Sequence, residues 1–273
     1  MKNIPIILPA LIVSLLLTAC GGDDKKNPKP PVRSSSSAMS SSVMSSSPAS
    51  SVSSSLSSSS MSSVMTVKLS VVVTNLTGGQ PLSPTAIVIH KPTFKAFSVG
   101  MPASVELEHI AESGNSDAFL TQANANAATF ISGKADAGIP PGTTATVMLE
   151  TSVMDADKTQ LRLTALSMLG NTNDGFTGLN SVDISKLAVG ESITIDTISY
   201  DAGTEKNTES AATVPGPAAG GEGFNLMRDD SPSTVAMHSG IISKDDALPT
   251  SALTSINRWD NPVAKITITR LAP

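Results

Sequence analysis

Acidic side chains set beside glycines are the residues of this chain best placed to do chemistry. Two segments concentrate them: Thr172-Asn173-Asp174-Gly175-Phe176-Thr177-Gly178-Leu179 and Tyr200-Asp201-Ala202-Gly203-Thr204-Glu205. Each reads as a tight, glycine-bearing loop at a strand end. In the second, Asp201 and Glu205 stand four apart with Gly203 between them, and the turn that a glycine permits can aim both carboxylates at one point. Such convergence suits a hard cation such as Ca²⁺, which takes about six to eight oxygens from carboxylates, backbone carbonyls and water. The same spacing suits plain Asx-type turns, in which an aspartate bonds its own backbone. Both readings stand at this point.

Signatures of enzymes are largely missing. No Gly-x-Ser-x-Gly elbow, His-Glu-x-x-His pair or phosphate-binding loop occurs, and the three histidines, His90, His109 and His238, lie far apart in sequence. Gly220-Gly221-Glu222-Gly223 has no strand before it and does not read as a dinucleotide loop. His90 and His109 read as a strand-end and a helix-face histidine. His238, in Met237-His238-Ser239-Gly240-Ile241, reads as a hydrogen-bonded structural histidine beside a glycine that lets the chain pass close to something. The enzymatic alternative is a hydrolase that uses Asp or Glu with His238. A glycosidase-like pair would need carboxylates roughly 5 to 10 Å apart across a cleft.

The ends of the chain restrict where such a domain works. Lys2, an apolar run from Ile4 to Leu17, and Leu17-Thr18-Ala19-Cys20 form a secretory signal rather than a fold element. The last four residues resemble the lipobox of bacterial lipoproteins. Read so, residues 1–19 are a signal peptide and Cys20 is the first mature residue, holding the chain to a membrane through acyl chains worth about 0.8 kcal/mol per buried methylene. Gly21 after the cysteine resembles lipoproteins sorted to the outer membrane, so the expected location is the cell envelope. From Ser34 to Ser63, 21 of 30 residues are serine. Such a tract cannot bury enough to offset its ordering entropy, so residues 20–63 read as a disordered tether.

The remaining residues, 64–273, are enough for one sizeable core. Cys20 is the sole cysteine, so no disulfide is available and the core must hold the domain, with or without a metal. Five of the 18 Lys+Arg and two of the 23 Asp+Glu precede Val64, which leaves 13 against 21 and a domain charge of −8. That balance argues against nucleic acid as a partner. With 6 Phe, one Tyr and one Trp, stacked-ring sugar platforms are disfavoured as well.

Several short strands must position the acidic loops. Val67, Leu69, Val71 and Val73 alternate with Lys68, Ser70, Val72 and Thr74 and predict a strand from Thr66 with one buried face. Ala86 to His90 predicts a second. Ala103 to Glu112 has helical spacing with Gly114 just past its end, and a further helix is expected from Asp117 to about Ala123. Thr144 to Glu150 and Gln160 to Ser167 alternate and predict a hairpin turned by Asp155-Ala156-Asp157-Lys158. Ser192 to Tyr200 changes phase between Ile195 and Ile198, which predicts a bulge near Asp196 or Thr197. Pro262 to Arg270 predicts the last strand. The region from Glu205 to Ala236 predicts a long loop over the sheets, and loops that long usually have a role or an organising ligand. Together these features predict an all-β antiparallel sandwich with one or two short helices.

The two acidic segments, in this order, resemble the paired motifs of the spondin N-terminal domain family. Other pieces agree in order: Thr74-Asn75-Leu76-Thr77, Gln80-Pro81-Leu82-Ser83-Pro84, Ala111-Glu112-Ser113-Gly114, Ile139-Pro140-Pro141-Gly142, His238-Ser239-Gly240-Ile241 and Asn261-Pro262-Val263-Ala264 through Ile268. The resemblance spans about Val64 to Leu271. It implies a sandwich akin to C2 domains and, in animal relatives, an extracellular-matrix adhesion module with a calcium site. Carried over residue by residue, it implies that Asp174, Asp201 and Glu205, with the Tyr200 carbonyl, hold Ca²⁺. Two positions depart from the pattern: Glu205 stands where the family often has Asp, and Gly175 where animal members have Trp. The expected function is a non-enzymatic, calcium-binding adhesion module for an extracellular protein or matrix ligand, displayed on a lipid-anchored tether. A structural envelope lipoprotein without a macromolecular ligand is the second expectation.

Overall fold

The computed structural model describes residues 63–273; the signal segment, Cys20 and the tract up to residue 62 lie outside them. The strand predicted from Thr66 is β1, Val64–Asn75, and its alternation is realised: Val67, Leu69, Val71 and Val73 are at most 1 % exposed. It lies between β4 (Thr144–Met154) and β10 (Ala264–Leu271), and β7 (Ser192–Thr197) completes an antiparallel sheet ordered β4-β1-β10-β7. In β10 the predicted inward residues Ala264, Ile266 and Ile268 are buried.

A second antiparallel sheet faces the first. It is ordered β3-β2-β5-β6-β8-β9, from Thr129–Lys134, Ala86–His90, Arg162–Met168, Gly175–Asp183, Ser199–Asp201 and Ala236–Met237 respectively. Between the sheets Val71, Leu149 and Ile266 of one pack with Ile87, Leu163 and Leu179 of the other. Fully burying each such side chain contributes about 1.5–3 kcal/mol.

The far face of the six-stranded sheet is covered by helices α1 (Val105–Ser113) and α2 (Asp117–Ala125), through Leu107, Ile110, Phe119 and Ala123 against Ala86, Val88, Leu166 and Phe176. This explains why β2 is buried along its whole length while β1 alternates: one strand is covered on both faces, the other on one. Helix α1 starts on Ser104, whose side chain accepts the Leu107 N–H at 3.3 Å, and stops at Gly114 in the left-handed conformation. No described helix is long and apolar enough to cross a membrane.

Two local expectations are corrected. The alternating runs before and after Asp155 do not pair as a hairpin. A 3₁₀ helix, Asp155–Gln160, carries the chain from one sheet to the other, so β4 pairs with β1 while β5 pairs with β2 and β6. Alternation marks a half-buried strand but does not say which sheet receives it. Likewise the phase change after Ile195 is a change of sheet rather than a bulge. β7 ends at Thr197 in the four-stranded sheet and β8 begins at Ser199 in the six-stranded one. From Ala202 to Val235 the described chain contains neither helix nor strand, so the loop expected from Glu205 to Ala236 is present but ends one residue earlier, where Ala236 begins β9. Val214 of this stretch forms a small apolar cluster with Ile241 and Leu253.

Candidate functional site

The sheet change at Ile198 builds the site. It lets β8 pair with β6 so that Asp201 stands opposite Gly175 and Tyr200 opposite Phe176, bringing together the two acidic segments. The first is folded tightly by Thr172, whose hydroxyl donates to the Leu169 carbonyl at 2.6 Å and accepts the Gly175 N–H at 2.9 Å. A Cβ on Gly175 would lie 2.6 Å from that hydroxyl and 3.1 Å from Cδ2 of His238. The space that a side chain at this position needs is therefore filled by Thr172 and His238, and the His238 ring packs edge-on against Trp259 at 5.1 Å. Gly203 is required for a second reason: its φ is +66°, and a Cβ would approach the Thr234 backbone to 2.5 Å.

Asp174 is 0 % exposed. Its Oδ2 accepts the Thr204 N–H at 2.8 Å, the Glu205 N–H at 3.2 Å and the Thr204 hydroxyl at 3.3 Å, which clamps the second acidic loop onto the first. Its Oδ1 has no hydrogen-bond partner among the described residues. Burial, reinforced by the Asp201 charge, raises its pKa to about 7 despite those donors. Asp201 makes the Asx turn that was one of the two readings of its spacing: Oδ1 accepts the Gly203 N–H at 2.8 Å, and Oδ2 accepts from Asn207 Nδ2 at 2.6 Å.

Glu205 is half-buried, and its pKa is raised to about 8, first by burial and then by the charge of Glu112, with Asp174 and Asp229 adding to it. Its backbone thus belongs to the Asp174 clamp, while Glu112 is the neighbouring charge that raises its carboxyl most, after burial itself. Tyr200 lies between Phe176 and Met237 in the ladder, and its ring stacks on Phe176 with centroids 5.3 Å apart.

Three acidic residues assigned no role from the sequence lie in this region. Glu209 is 1 % exposed and left-handed at φ 56°. Its N–H donates to Asn173 Oδ1 and its Oε1 accepts the Ile242 N–H, while Oε2 has no partner among the described residues. Burial and the Asp201 charge raise its pKa to about 7. Thr208-Glu209-Ser210 carries no pattern that could have singled it out. Glu112 could have been found, since it sits inside Ala111-Glu112-Ser113-Gly114. It is 1 % exposed, accepts the Asn225 N–H at 2.8 Å, and is raised in pKa chiefly by burial. Glu108, on the same helix, pairs with Arg228.

The histidines lie at the places expected, but the glycine beside His238, Gly240, has open space where a Cβ would stand rather than a close neighbour. His90 ends β2 and bonds the Lys91 carbonyl and Thr164, and His109 stacks on Phe224 at 3.6 Å. His238 Nδ1 accepts the Gly240 N–H at 3.0 Å. A neutral ring then carries its proton on Nε2, which has no partner among the described residues. Burial lowers its pKa, and the Asp201 charge opposes that shift. In this tautomer neither ring nitrogen offers a free lone pair to a cation or a proton.

Among the described residues no three His, Cys, Asp or Glu side chains are gathered so as to hold an ion by themselves. The unpartnered, fully buried Asp174 Oδ1 beside the Asp201 carboxylate nevertheless fits a hard cation. Calcium commonly completes its shell with backbone carbonyls and water, so two carboxylates suffice as the charged part of a site.

The family model of the spondin N-terminal domain, Spondin_N, matches residues 79–218, just over half of the chain. The match takes in Asp174, Tyr200, Asp201 and Glu205 and is shorter than the resemblance read from Val64 to Leu271. No curated protein matches the chain.

Proposed function

The chain belongs to the spondin N-terminal domain family, and from that premise we propose that it is a non-enzymatic, calcium-binding module displayed outside the cytoplasm on a lipid-anchored tether, where it binds a protein or matrix ligand. The calcium part rests on one observation: Asp174 Oδ1 is fully buried without a partner among the described residues, next to a second carboxylate, Asp201. Asp174 and Asp201 would hold the ion, with Glu205 and the Tyr200 carbonyl as the further oxygens that the family pattern implies. The ion would supply charge balance between the acidic loops and so fix their shape. Family membership supports the adhesive part. The signal segment and Cys20 support the anchor, and Gly21 an outer-membrane location.

The hydrolase alternative is disfavoured by the His238 tautomer, which leaves no basic nitrogen free. A cleft of about 880 Å³ lined by Phe97, Ile195 and Tyr200 carries a single carboxylate, Asp196, whereas paired acid–base chemistry needs two.

Calcium bound only to the folded state stabilises it by about 2.7 kcal/mol at a hundredfold excess over Kd. For a domain of this size that is roughly 2–4 °C per kcal/mol in melting temperature. The protein should melt several degrees higher in millimolar calcium than in chelator, and Asp201→Asn should shrink that difference far more than Asp136→Asn on the exposed surface. Identical melting curves in calcium and chelator would refute the calcium reading. For the anchor, Cys20→Ser should leave the protein unprocessed or released while the domain still folds. A mature, membrane-bound Cys20→Ser protein would refute lipidation.

A further inference from the structure

Arg270, near the end of β10, is 6 % exposed and joins no ion pair among the described residues. A guanidinium carries five N–H donors. Here one Nη donates to the Thr66 carbonyl at 3.3 Å, and the buried Nε has no partner among the described residues. A buried cation without a counter-charge is costly, because the hydration it gives up is not replaced. Burial accordingly lowers the Arg270 pKa.

Arg270 lines a cavity of about 340 Å³, within the range of small-molecule sites. Met65, Leu161 and Leu187 give it apolar walls, and Lys158 and Ser185 add a second cation and a hydroxyl. Lys158 is ion-paired with Asp155 at 3.0 Å and half-exposed, so its charge is already met and the unmet one is that of Arg270. Apolar walls around one unmatched guanidinium favour a ligand with a single charged head and an apolar body. A bare oxyanion would leave these apolar walls without a partner.

We propose that this cavity is a binding site for a small organic carboxylate, its head held by the Arg270 guanidinium and its apolar body by Leu187, Leu161 and Met65. Octanoate is a suitable probe, titrated into the full chain. It should raise the melting temperature saturably and shift the Arg270 Nε–H resonance in the wild-type protein. Octanol, with the tail but no charge, and inorganic phosphate, with charge but no tail, should each act at least about tenfold more weakly. Arg270→Gln should weaken octanoate by about tenfold or more, and Lys158→Gln by less. If Arg270→Gln does not fold, the wild-type resonance decides alone. An Nε–H resonance unmoved by octanoate, a response matched by octanol or by phosphate, or undiminished octanoate binding by folded Arg270→Gln overturns the proposal.

Discussion

Glu108 and Asp174 are both carboxylates shut away from water, at 1 % and 0 % exposure, and the fold answers their charges in opposite ways. Glu108, on α1, presents one oxygen to the Arg228 guanidinium, which donates to it from Nε at 2.8 Å and also from Nη2. Its other oxygen has no partner among the described residues, yet the net charge is met by a cation from the long loop. Asp174 receives dipoles only, all on Oδ2, and has a second carboxylate for a neighbour. An acid matched by arginine has its charge balanced as folded. An acid matched by dipoles beside a like charge is complete only with a proton or an added cation.

The sharpest way to break this comparison is to remove the arginine. Arg228→Met leaves Glu108 buried without its counter-charge and should cost about 3 kcal/mol in denaturant unfolding. Adding Glu108→Gln should recover more than half of that loss. A loss under about 0.5 kcal/mol, the level of an ordinary surface pair, would mean that Glu108 is not held by Arg228.

Asp174→Asn should do the reverse in chelator at pH 8. It removes a buried charge that faces Asp201, while an amide oxygen can still accept the Thr204 and Glu205 N–H groups. We expect a gain of about 1 kcal/mol in chelator, together with loss of the calcium response. Destabilisation in chelator, or an intact calcium response, would show that the Asp174 charge is neither the strained nor the cation-holding element.

A smaller effect is expected from pH. Asp174, Glu205 and Glu209 have folded pKa values raised to about 7, 8 and 7. The folded state therefore binds more protons than the unfolded state from the ordinary carboxylate range, near pH 4, up to about pH 8. The stability these groups contribute is fully present below that range and is lost as pH rises through the folded values. In chelator the melting temperature should fall from pH 5 to pH 8. Calcium, by favouring the ionised forms, should flatten the fall. A melting temperature that rises over this window in chelator would contradict the burial of protonated acids here.

How much of this was legible in the sequence differs between the same two kinds of region. The sandwich was readable because burial on one face leaves an alternation: Val67 to Val73 and Ala264 to Ile268 declare their inward side. Sheet membership was not readable. Runs on either side of Asp155 look like one hairpin, because local pattern reports half-burial and not the partner strand. The change at Ile198 was visible as a phase shift, but its cause, a crossing between sheets, depends on both sheets being present.

In the candidate site, Asp174, Asp201 and Glu205 were singled out through glycine-bearing motifs, and the pairing of Gly175 with Asp201 brings the two segments together. Glu209 was invisible because its burial comes from long-range contacts with Asn173 and Ile242 rather than from any local pattern. Arg228 was equally hidden, since a loop arginine becomes the half-buried counter-charge of a buried glutamate only once α1 is packed beside it.

If calcium replaces a proton on a buried carboxylate, binding must release protons that can be counted. Calcium is titrated calorimetrically at pH 6 in two buffers of different ionisation enthalpy, and the difference in heat gives the protons released. With the Asp174 pKa raised to about 7, release of about one proton or more per calcium is expected. No calcium heat in either buffer, or equal heats showing no proton release, would contradict it.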